Sequence, residues 1–66
     1  MNIEDKVLLE RISVRAFNHA REHDVDATAA VETVAKETDQ EVPLDVRGVA
    51  EDVVDRGLRR IEEGSA

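Results

Sequence analysis

Sixty-six residues with no cysteine, tryptophan or tyrosine and a single phenylalanine exclude disulfides, thiolate metal sites and a core built on large aromatic rings. Sixteen acidic against nine basic residues leave a net charge of −7, which disfavours nucleic acid or an anionic membrane as partner. A domain of this size buries only about 60% of its unfolded surface, so aliphatic packing supplemented by association is the expected source of stability.

The chain opens with Met1-Asn2-Ile3-Glu4-Asp5, acidic where a secretory signal carries positive charge, and no apolar run approaches the ~20 residues of a membrane span. A cytoplasmic protein without membrane contact is therefore expected. Residues 1–66 read as one all-α, three-helix domain, with helices over about 3–23, 27–38 and 44–62.

The first helix starts at Ile3, with Asn2 placed to cap it and Asp5 three positions later at the positive end of the dipole. Its apolar residues spread around the wheel at about 100° per position, covering well over half of the circle. Ile3, Val7, Leu8, Leu9, Ile12, Val14, Ala16, Phe17 and Ala20 make up that surface, and Glu4, Arg11, Arg15, Asn18 and Glu22 form a narrow polar strip. A surface helix of a monomer shows one apolar stripe, whereas one apolar nearly all round needs cover on several sides. So short a chain has few elements to provide it, and a homodimer is expected. Leu8, Leu9, Ile12, Ala16 and Phe17 would carry the packing at that interface or in the core beneath it.

Asp24-Val25-Asp26 breaks the first helix, and Asp26 is placed to cap the second. In the second helix Ala27, Ala30, Val31, Val34, Ala35 and Thr38 share one face. Their small side chains permit close approach to a neighbour. The polar stretch Thr38-Asp39-Gln40-Glu41 reads as a loop, and Val42-Pro43 leads into the third helix with proline where its missing N–H costs nothing. There Val46, Val49, Ala50, Val53, Val54, Leu58 and Ile61 occupy one half of the wheel with Gly57 among them. Glu51, Asp52, Asp55, Arg59, Glu62 and Glu63 occupy the other half. Interior glycine costs roughly 1 kcal/mol relative to alanine, so Gly57 on the apolar side implies close packing against another helix. Gly64 is expected to end the helix, with Ser65 and Ala66 frayed.

Abundant Asp, Glu, Val, Ala and Thr, with Lys6 and Lys36 as the only lysines, resembles the composition of small acidic proteins of halophilic archaea. That likeness implies an acidic surface that serves solubility in strong salt. A second resemblance runs over residues 27–60. Ala35-Lys36-Glu37-Thr38-Asp39, then Pro43-Leu44-Asp45-Val46-Arg47, then Val53-Val54-Asp55-Arg56-Gly57-Leu58 is similar to the helix-turn-helix core of winged-helix regulators. It implies a DNA-binding transcription regulator, with Arg47, Arg56, Arg59 and Arg60 as the residues available to nucleic acid. The chain departs from that pattern in three ways. Asp39 stands where the family has glycine, the turn is about one residue longer, and no wing is expected within the 66 residues. Glu51, Asp52 and Asp55 also cover the face where phosphate contacts need clustered Lys or Arg. An amphipathic helix packed on its neighbours is the preferred reading.

His19-Ala20-Arg21-Glu22-His23 has the His-x-x-Glu-His spacing of one metalloprotease signature, because residues four apart share a helix face. A catalytic site also needs a third ligand and a cleft, so the histidines read first as partners of the helix's negative end. No metal site or cofactor is expected, with His19 and His23 as a weak metal-binding alternative. Arg56, Arg59 and Arg60 likewise read first as dipole partners and as pairs such as Asp52–Arg56 and Asp55–Arg59. There is no glycine-rich phosphate loop, and Ser13 and Ser65 have no evident base, so no enzymatic activity is expected. The expectation is a non-enzymatic homodimeric interaction module. The helix-turn-helix regulator is its main rival, and a small adaptor or antitoxin-like protein masking a basic partner is a third reading.

Overall fold

A computed structural model describes residues 1–65 and shows three helices, α1 (Ile3–His23), α2 (Ala27–Glu37) and α3 (Leu44–Ser65). Each begins where local chemistry dictates. The Asn2 side chain accepts a 2.8 Å hydrogen bond from the Asp5 backbone N–H, and Asp26 does the same for Ala29 at 2.8 Å. Both satisfy donors that a helix start leaves without a partner. Pro43 stands just ahead of α3 and its carbonyl accepts from the Arg47 N–H.

α1 stops at Asp24, which adopts a left-handed conformation with φ 53°. The N–H groups of Asp24 and Val25 both return to the Ala20 carbonyl. This closes the C-terminus of the helix in the manner usually left to glycine. Thr38 turns extended and ends α2, with its hydroxyl donating to the Val34 carbonyl at 2.9 Å.

Each helix touches both others. One end of the molecule gathers Ala20 and Arg21 of α1 with Leu58 and Ile61 of α3, while the opposite end gathers Ile3 and Leu8 with Gln40 and Glu41. α1 and α3 therefore run in the same direction and α2 runs back. The Cα envelope of 37 × 21 × 14 Å suits two helices of roughly 30 Å lying side by side. The core is aliphatic and small: Leu8, Ile12, Ala16 and Ala20 from α1, Ala27, Ala30, Val31, Val34 and Ala35 from α2, and Val46, Ala50 and Val54 from α3. Val42, buried in the α2–α3 loop, anchors the return of the chain.

Two expectations need correction. α3 continues through Gly64 to Ser65 instead of ending near residue 62, because no glycine takes the positive φ that a helix-stopping turn requires. Ala66 lies outside the described residues. The apolar half of the α3 wheel is also narrower than expected. Val46, Ala50 and Val54 are buried and Leu58 is partly buried, whereas Val49, Val53 and Ile61 stay exposed. Gly57, in contrast, packs closely on another helix as expected, against Phe17.

Candidate interaction surface

The residues proposed for an interface divide into two groups. Leu8, Ile12 and Ala16 are buried in the chain's own core, and Leu9 and Phe17 are partly buried against its edge. What α2 and α3 leave uncovered is the far side of α1. Ile3 is 80% exposed, Val7 46% and Val14 56%. Separations of four and seven residues place these three within about 40° of one another on the helix, opposite Ile12. Leu44, at the start of α3, is 83% exposed.

The sequence reading included Ile3, Val7 and Val14 in the apolar wrap but did not single them out. With apolar residues on both sides of α1, the sequence leaves open which of them stay uncovered. The choice rests on where α2 and α3 dock, and both settle on the side of Leu8, Ile12 and Ala16.

Beside this stripe lies an open groove of about 500 Å³, lined by Val7, Leu8, Glu10, Arg11, Val14, Arg15, Thr38 and Gln40. It mixes apolar floor with charges of both signs. Arg15 makes only a long 3.8 Å contact to Glu37, with both side chains more than half exposed, and such surface pairs contribute little.

The four arginines of the helix-turn-helix reading do not converge. Arg47 and Arg56 are nine residues apart, two and a half turns, and so point from opposite sides of α3. Arg56 pairs with Asp52 at 3.0 Å and Arg59 with Asp55 at 3.1 Å, as the four-residue spacings suggested. Arg47 is half-buried, with its Nε buried and without a hydrogen-bond partner. Arg60 is exposed, on the flank that carries Arg56. The loop between α2 and α3 spans residues 38–43.

His19 and His23 do come together. Their ring centroids are 4.4 Å apart and inclined by 37° at the end of α1. Among the described residues no cluster of three or more His, Cys, Asp or Glu is placed to hold a metal ion. Among the described residues no helix is long and apolar enough to cross a membrane. Compared with family models, curated proteins and solved structures, the chain matches none of them.

Proposed function

We propose that this all-helical chain is a non-enzymatic interaction module that works as a homodimer, with α1 at the centre of the contact. The outward stripe of Ile3, Val7 and Val14 would pack against the same stripe of a second copy, and the core residues Leu8, Ile12 and Ala16 would hold α1 in place behind it. The observation that carries this reading is the exposure of these three side chains after α2 and α3 have both docked. Three exposed apolar side chains on one helix face, with Glu10 set between Val7 and Val14, are the surface this reading offers to a partner. Glu4, Glu10, Arg11 and Arg15 lie along the same helix. Both signs of charge are thus available to pair across a two-fold contact, in which each patch meets its own copy.

Two copies each carrying −7 repel one another. Screening shortens the reach of that repulsion from about 10 Å at 0.1 M salt to about 3 Å at 1 M, so association is expected to strengthen with salt. The test is sedimentation equilibrium of the native chain and of a Val7→Asp/Val14→Asp double variant, at about 0.1 M and about 1 M NaCl. A native dimer and a monomeric variant of unchanged helical circular dichroism are expected. A native chain that is monomeric at both salts, or a variant that dimerises as well as the native chain, would overturn the proposal.

A further inference from the structure

The two histidines of α1 form a pair that the interaction surface does not use. His19 is half-buried and His23 exposed, one turn apart on the final turns of the helix. Their rings approach to 4.4 Å between centroids. Neither ring is ion-paired to a carboxylate among the described residues, where the salt bridges involve arginines alone. Two neutral imidazoles four residues apart can present one nitrogen each to a single ion at roughly 2.0–2.1 Å, after small rotations about their side-chain torsions. We infer that His19 and His23 chelate one late first-row divalent ion of the zinc, nickel or copper class.

The donor set selects the ion. Imidazole nitrogens suit zinc, copper and nickel, while calcium and magnesium require oxygen ligands. The position favours a cation as well, because the last carbonyls of α1 carry the negative end of its dipole. Two protein ligands are all that the described residues provide, since no third His, Cys, Asp or Glu joins them there. Water fills the remaining positions, which makes this a surface chelate of modest affinity. Because both ligands sit on one stretch of helix, a bound ion ties the end of α1 into its helical conformation. Binding to the folded chain but not to the unfolded one must then stabilise the fold.

The test titrates Zn²⁺, Ni²⁺ and Mg²⁺ separately into the full chain by calorimetry, and follows the thermal midpoint by circular dichroism. Saturable binding of zinc and nickel at one ion per chain is expected, with a midpoint that climbs with ion concentration and no response to magnesium. His19→Ala and His23→Ala are each expected to weaken binding by about tenfold or more, since each removes half of the protein ligands. His23 is exposed, so His23→Ala keeps the fold and provides the clean comparison. Absence of saturable zinc or nickel binding would overturn the inference, as would full affinity in the His19→Ala/His23→Ala double variant.

Discussion

The Phe17 ring lies so close to the backbone of Gly57 that a Cβ on residue 57 would stand 3.0 Å from its Cε1 and 3.2 Å from its Cδ1. Here α1 and α3 meet closely, which accounts for a glycine in the interior of a long helix. Arg21 lies over the same ring, with its guanidinium carbon 5.7 Å from the ring centroid.

Gly57→Ala brings two opposed effects. Alanine is worth roughly 1 kcal/mol over glycine inside a helix, but the new methyl presses on Phe17. The half-buried ring can shift outward at a cost, so the single substitution is expected to recover only part of that gain. In a Phe17→Ala background the obstacle is gone and the full gain of about 1 kcal/mol is expected. A double-mutant cycle by urea unfolding measures the coupling. Identical effects in the two backgrounds would show that the contact does not constrain residue 57.

Asp24 is the only non-glycine residue with a positive φ among those described. A left-handed conformation costs an L-residue roughly 1–2 kcal/mol, less for aspartate than for most. Asp24→Gly is expected to raise stability by about 0.5–1 kcal/mol, the usual preference for glycine at this helix-ending position. Asp24→Val is expected to lower it. A thermal midpoint that falls with glycine would contradict the assignment.

Ser13 is buried between Leu9 and Phe17 along α1, and its hydroxyl has no hydrogen-bond partner. An unsatisfied buried hydroxyl costs about 1–3 kcal/mol, and alanine is the better helix former. Ser13→Ala is therefore expected to raise the urea midpoint, and Ser13→Val, larger at a closed site, to lower it. A loss of stability on Ser13→Ala would reveal a partner for that hydroxyl.

The Asp26 carboxylate holds the Ala29 N–H at 2.8 Å. Asp26→Ala is expected to cost about 1 kcal/mol, while Asp26→Asn, an equally good cap, stays within a few tenths of the native chain. Comparable losses in both variants would assign the effect to charge instead of to the hydrogen bond.

Much of this architecture was legible in the residues themselves. Asn2 and Asp26 announce helix starts because short polar side chains satisfy orphan N–H groups locally, a property that needs no distant partner. The buried face of α2 was readable to within a residue, because Ala27, Ala30, Val31, Val34 and Ala35 form one narrow apolar stripe with polar residues on either side. Gly57 on an apolar face correctly announced a close neighbour, without saying that the neighbour is Phe17.

What the residues could not decide is coverage. On α1 the apolar pattern favours the side of Leu8, Leu9, Ile12 and Ala16, but it does not tell whether Ile3, Val7 and Val14 are covered as well. The docking of α2 and α3 makes that choice, and so does the placement of Val49 and Val53 beyond the edge of the core. The arginines of α3 differ, since a nine-residue separation by itself puts Arg47 and Arg56 on opposite sides of one helix. Local hydrogen bonding and periodicity are properties of a segment and travel with its sequence. Which face is covered is a property of the whole chain, set by how the three helices pack their aliphatic residues against one another.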